Sequence, residues 1–215
     1  MKDELQKLVV LGAGDHAKIV LATVEAQGEY SVSGLIDDNE DKHGTEWFGH
    51  RVLGGVERLS EIREQGVSHA VVAVGDNLAR ARLAEMAIKA GLRLATIIHP
   101  RAIIIKGAEI GEGSVLLADA HIGGDVRLGI NVLVSVRGLV AHDCIVGDHC
   151  QVGPGAILAG HVRLGDYALI GMGASVLPRV SVGRKAVVGA NAAVIGDVPD
   201  STVVVGVPAR PISGR

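Results

Sequence analysis

Aromatic residues are nearly missing from this chain: one Trp, two Tyr and one Phe among 215 residues. The 48% hydrophobic content permits a sizeable core, which must then be assembled from Val, Ile, Leu and Ala. Cysteine is scarce too, and Cys144 and Cys150 form neither a metal-binding nor a disulfide pattern. No apolar stretch approaches the roughly 18 residues of a membrane span. There is no basic run and the net charge is -3, so nucleic acid is not an expected partner. Asp15 and His16 cut short the apolar run Leu8–Gly14, so no signal peptide is expected and the expected location is the cytoplasm. Glycine, by contrast, is abundant at 30 residues, without a collagen triplet.

Two rhythms divide what is present. Residues 1–98 alternate between strand and helix patterns. Leu8–Leu11 reads as a buried strand ending at Gly12-Ala13-Gly14, followed by a helix from about His16 to Gln27. Further strands are expected at Ser31–Ile36, Ala70–Val74 and Leu94–Ile98, and further helices at Val56–Gln65 and Leu78–Ala90. Such alternation predicts a small parallel, Rossmann-like sheet with its ligand crevice at the carboxyl ends of the strands.

From Ile110 onward a branched aliphatic stands at every sixth position without a gap, through Leu116, Ile122, Leu128 and so on to Val194. The next position is often Gly, as at Gly111, Gly123, Gly129, Gly147 and Gly153. Four residues after the aliphatic stands a small residue such as Ser114, Ala120, Cys144, Cys150 or Ala156. Neither a period of 2 nor of 3.6 produces this; a hexapeptide repeat predicts a parallel β-helix. Three hexads would make one coil of a prism, with the aliphatic and the small residue pointing inward. Gly is expected to free the backbone near the corner. The domains expected are 1–98, an α/β domain; 99–200, a β-helix; and 201–215, a C-terminal tail.

The hexads resemble those of the hexapeptide-repeat acyltransferases. Gly12-Ala13-Gly14-Asp15-His16-Ala17-Lys18, Asp37-Asp38, Gly75-Asp76-Asn77, Ile98-His99-Pro100, Ala141-His142-Asp143-Cys144 and Gly206-Val207-Pro208-Ala209-Arg210 narrow the resemblance. Together they are similar to the sialic-acid O-acetyltransferase and nucleotide-aminosugar N-acetyltransferase family. That resemblance implies a left-handed β-helix, acetyl-CoA as co-substrate, a homotrimer with cofactor sites between neighbouring β-helices, and a nucleotide-linked amino sugar as acceptor. The favoured expectation is N-acetylation of a 4-amino-4,6-dideoxy sugar. O-acetylation of a sialic-acid-type sugar is the alternative within the class, and a non-catalytic sugar-nucleotide-binding trimer the alternative outside it.

His142-Asp143 breaks into a hexad at two outward positions, where a solvated pair is the ordinary outcome. The resemblance implies instead that His142 is a general base and Asp143 its tuner. An attacking amine must lose a proton, and a neutral imidazole can take it near pH 7. Adjacent residues on an extended chain point apart, so Asp143 is expected to act through a bend or across a subunit interface. Both cysteines occupy the small inward position, which argues for direct transfer rather than an acyl-cysteine. The resemblance further places the Gly160 N–H near the thioester carbonyl, Met172 and Ala190 along the pantetheine channel, and Gln151 where the family often has a second histidine.

In the N-terminal half the resemblance assigns Gly12, Gly14, Asp15, His16, Asp37, Asp38 and Gly75 to the nucleotide-linked sugar. Gly12-x-Gly14-x-x-Ala17 after a strand, with Asp37 further on, also fits a dinucleotide fingerprint, although the half is small for a two-lobed domain. His121, His142, His149 and His161 offer no His-x-x-x-x-His pair, so no metal is expected.

Overall fold

The computed structural model describes residues 5–212, and the chain divides into two compact units, Met1–Ile98 and His99–Arg215. The last residues of the expected tail, 213–215, lie outside the described residues.

In unit 1, β1 (Gln6–Leu11) runs into α1 (Asp15–Gln27), which leads to β2 (Tyr30–Ile36). A hairpin follows, formed by β3 (Glu46–Trp47) and β4 (His50–Gly54), and then α2 (Leu59–Glu64), β5 (His69–Val72), α3 (Asn77–Lys89) and β6 (Arg93–Leu94). The sheet order is β3-β4-β2-β1-β5-β6, parallel except for the β3–β4 pair. Leu8 to Leu11 are all 0% exposed, as the uninterrupted apolar run of a strand covered on both faces requires. Val9 and Leu11 pack with Leu59 and Ile62 of α2 and Ala84 and Ala87 of α3. The hairpin lies between residues 37 and 55, a stretch for which the sequence pattern names no element. Its turn, Phe48-Gly49, has φ of 48° and 79°. That geometry usually recruits Asn-Gly, and Phe48 disguises it. Helix α2 is also shorter than the expected Val56–Gln65, because Val56–Arg58 forms a 3-10 turn. The fourth expected strand is split: Ile97–Ile98 lies outside this sheet.

Unit 2 is a parallel β-helix of two-residue strands. Val115 pairs with Leu133, Leu133 with Gln151 and Gln151 with Leu169, each step being one coil of 18 residues. Face I carries Val115–Leu116, Leu133–Val134, Gln151–Val152, Leu169–Ile170 and Val187–Val188. Face II runs from Ile103–Ile104 through Leu139–Val140 and Ile157–Leu158 to Ala193–Val194. Face III runs from Glu109–Ile110 through Ile145–Val146 to Ser181–Val182. Every hexad aliphatic from Leu116 to Val194 is 5% exposed or less, while Ile110 on the first coil is half-buried.

The glycine after the aliphatic has a different purpose from the one expected. Positive φ falls two residues later, at corner residues such as Asp119, Asp125, Asn131, Asp143, His149 and His161. Asp, Asn and His tolerate that region better than most residues. The glycines are needed for close approach of the coils. A Cβ on Gly123 would lie 2.6 Å from His142 N, and one on Gly171 2.7 Å from Ala190 N. Residues 201–212 are not a separate tail either: Val203–Val205 pairs with Val187–Val188 on face I, and Arg210–Pro211 turns back against it.

Candidate active site

The corner between faces II and III brings together His142, Asp143, Gly160 and His161. Asp143 takes a φ of 58°, so the chain bends there, and its carboxylate swings back to the residue before it. His142 Nδ1 and Asp143 Oδ2 are 2.7 Å apart within one chain. The bend is enough to bring the two side chains together within one chain. An anion on Nδ1 assigns the proton to that nitrogen and leaves Nε2 as the acceptor. Hydrogen bonding to His142 holds the Asp143 carboxyl below its ordinary value, with a smaller opposing effect of burial and further help from the charges of His161 and His142.

Gly160 lies against the free side of the His142 ring. A Cβ there would come within 2.6 Å of Cε1 and 2.7 Å of Nε2. The Gly160 carbonyl accepts from Arg179 N–H at 3.1 Å, and its own N–H has no hydrogen-bond partner among the described residues. His161, which the sequence reading passed over, packs edge-to-face on His142 with ring centroids 5.3 Å apart. Counting one coil from Asp143 lands on His161, and that count is the signal that finds it.

Met172 and Ala190 are not part of this cluster within one chain. Both lie on the corner between faces I and II, and Gln151 lies on face I itself. Gln151 Oε1 is buried without a hydrogen-bond partner among the described residues. The cysteine thiols point into the prism, where Cys144 Sγ donates to Ala159 O and Cys150 Sγ to Gly165 O, both at 3.1 Å. Both residues are 0% exposed, and burial pushes the Cys144 thiol up, away from the reactive thiolate.

Although sequence spacing offers no metal motif, the ligand atoms of His142, Asp143 and His161 lie within 4.8 Å of one another. The donors of a tetrahedral zinc site stand roughly 3.3 Å apart for bonds of about 2.0–2.1 Å. At 2.7 Å, His142 Nδ1 and Asp143 Oδ2 have the spacing of a hydrogen bond rather than of two ligands on one ion.

Unit 1 has a cavity of about 250 Å³ at the carboxyl ends of β1 and β2, lined by Gly12, Asp37, Asp38, Val56, Val74 and Leu83. Gly12 has a φ of 113°, and a Cβ there would meet Val74 Cγ2 at 2.9 Å. Gly14 and Gly75 differ, for a Cβ at either meets no atom within 4 Å. Asp37 is already occupied. Ala13 N–H donates to its Oδ2 at 2.7 Å, Asn39 N–H to its Oδ1 at 3.1 Å, and Lys42 Nζ lies 3.2 Å from Oδ2. Burial raises its carboxyl, but these bonds and the ammonium outweigh burial and hold it below the ordinary value. Asp37 therefore ties the loop to β2, while Asp38 is exposed at the cavity.

Asp15 is answered by Lys18 Nζ at 3.0 Å. The pKa of His16 is lowered by burial first and by the charge of Arg80 second. Arg80, 2% exposed, also donates to the Gly75 carbonyl at 3.4 Å. Its place on the helix face of Ala84 and Ala87 was the sequence signal for an unusual cation.

Residues 7–87 match the PglD N-terminal domain. The structure superposes on a mutant GDP-perosamine N-acetyltransferase from Caulobacter crescentus in complex with CoA and GDP-perosamine. Identity is 36%, coverage 98% of this chain and 99% of that one, and the TM-score 0.93. The acetyltransferase domain of PglB from Neisseria gonorrhoeae, in complex with acetyl coenzyme A, is 34% identical over 97% of this chain and 100% of its own, with a TM-score of 0.90. UDP-N-acetylbacillosamine N-acetyltransferase of Bacillus subtilis is 33% identical over 53% of this chain, a match spanning 52% of that protein's length. With likeness along nearly the whole chain to two solved acetyltransferases, this chain belongs to the nucleotide-aminosugar N-acetyltransferase family of left-handed β-helix proteins.

Proposed function

We propose that the protein transfers acetyl from acetyl-CoA to the amine of a nucleotide-linked 4-amino-4,6-dideoxy sugar by direct attack. One observation carries this reading: His142 has Asp143 on Nδ1 and presents Nε2 beside Gly160. In the reaction the amine attacks the acetyl carbonyl carbon, the C–N bond forms and the carbonyl oxygen becomes an oxyanion. His142 Nε2 takes the amine proton, and Asp143 stabilises the imidazolium. The Gly160 N–H is the donor assigned to the oxyanion. Collapse breaks the C–S bond, and the departing CoA thiolate recovers the proton from His142. Gly12, Gly14, His16, Asp38 and Gly75 are the residues assigned to the nucleotide sugar, with Asp15 and Asp37 shaping the loop. The cavity fits one heterocycle better than a dinucleotide, being below the ~300 Å³ lower bound of common ligand pockets.

His142→Asn tests the base. With acetyl-CoA and GDP-perosamine as probes, kcat should fall roughly 10²–10⁴-fold with acetyl-CoA affinity retained. A loss under about threefold removes His142 from the mechanism.

The same reading makes the protein a homotrimer. Face II and its edges expose Ile103, Ile105, Ile157, Leu177 and Ile195, each 44% exposed or more, a row suited to burial against another copy. Face II also separates the corner of His142 and Gly160 from that of Met172 and Ala190, so a neighbouring copy is what would complete one cofactor groove. Light scattering should give three chains per particle, and a monomer with full activity would overturn this assignment.

No helix among the described residues is long and apolar enough to cross a membrane.

A further inference from the structure

We infer that His161 is a positioning residue for the His142–Asp143 pair, acting through the carboxylate beside which both imidazoles stand. The inference rests on the reading of His142 as the base. His161 is joined to the pair at three points. Its N–H donates to His142 O at 3.1 Å. Its ring meets the His142 ring edge-on, with centroids 5.3 Å apart and planes at 88°. Its Nε2 lies 3.8 Å from Asp143 Oδ2, the oxygen that faces His142 Nδ1. The last distance is too long for a hydrogen bond and short enough for charge to be felt.

These contacts matter because His142 and Asp143 are both exposed, their side chains being 64% and 46% accessible. Two exposed side chains on a corner have rotamer freedom that a base in fixed alignment cannot keep. Asp143 stops the His142 ring at Nδ1 and Gly160 lies beneath Nε2. His161 closes a further side, so the imidazole is bounded in rotation as well as in translation.

The ordinary explanation is that position 161 needs only a residue tolerant of its φ of 63°. Most other corners meet that need without a histidine, as Asn131, Tyr167 and Asn191 do at 53°, 62° and 55°, His149 at 58° being the exception. The corner column here runs Asp125, Asp143, His161, Arg179. Only His161 stands directly beside the carboxylate that His142 uses and also reaches the His142 ring.

His161→Asn separates the explanations, because Asn accepts positive φ and keeps the corner. The expected result is a kcat lower by about tenfold or more, since misplacing a catalytic group costs rate. KM for acetyl-CoA and for GDP-perosamine should stay within about twofold, with melting unchanged. In proton NMR, the parent should show a His142 Nδ1–H resonance, and the variant should broaden it through exchange with water. If the Asn variant fails to fold, His161→Gln is read in the same way. Parent-like kcat overturns the inference, as does a lowered kcat with the resonance retained, which would place the loss elsewhere. Failure of the base reading shows separately, as parent-like activity of His142→Asn.

Discussion

In unit 1 a Cβ added at Gly14 or Gly75 finds open space, whereas in unit 2 one added at Gly123, Gly153 or Gly171 runs into the backbone of the next coil. At these positions the same residue type leaves open space in one unit and lets neighbouring strands close up in the other. The two cores differ in the same sense. Unit 1 buries a sheet between helices with contacts drawn from many distances along the chain. Unit 2 repeats one small contact set every 18 residues. Substituting Gly14 or Gly75 should therefore harm binding, and substituting Gly123, Gly153 or Gly171 should harm packing.

Gly123→Ala is the sharper test of unit 2. Its methyl would press on His142 N and Ala141 C, at 2.6 and 2.7 Å. The expected cost is about 1–3 kcal/mol, seen as a lower melting temperature, together with loss of kcat because the displaced backbone carries His142. Gly14→Val should reverse the pattern. Melting should be unchanged, while KM for GDP-perosamine rises about tenfold and KM for acetyl-CoA holds, the signature of lost ground-state binding. Equal damage to both substrates' KM would erase the contrast between the units.

Acid gives the smallest effect and also divides the units. In unit 1, burial followed by the charges of Arg80 and Arg93 lowers the pKa values of His16 and His69 from 6.5. The unfolded chain then binds protons that the folded unit refuses, so stability is lost as pH falls through 6.5 toward the folded values. In unit 2 the Asp143 carboxyl is depressed, and its contribution is lost only as pH falls below the ordinary 3.8. Hydrogen exchange at pH 5.5 against pH 7.5 should show unit 1 amides opening first. Uniform acceleration across both units would contradict the assignment.

The sequence made unit 2 legible because one chemical choice recurs at a fixed interval, and a buried aliphatic at each sixth position has no other use. It did not show where the backbone turns. Positive φ is carried by Arg137, Tyr167, Arg179 and Lys185 as well as by Asp and Asn, so residue type gives no reliable mark. The β3–β4 hairpin stayed hidden for the same reason, behind Phe48. Asp37 was legible as important but not in its task, because only the fold reveals that Ala13, Asn39 and Lys42 already engage its carboxylate. The alignment of His161 with Asp143 was accessible to counting. The edge-on meeting of its ring with His142 was not.

The 18-residue register behaves as a lattice with a phase. Removing one hexad between Asp143 and His161 would leave the aliphatic pattern unbroken and the core filled. Every residue after the deletion would nevertheless rotate by one face, and the corner beside Asp143 would receive Tyr167 in place of His161. Removing three hexads would restore the faces and shorten the prism by a coil, setting Arg179 there instead. Length changes in this unit are thus quantised: multiples of six preserve the fold, and only multiples of 18 preserve the geometry of its chemistry.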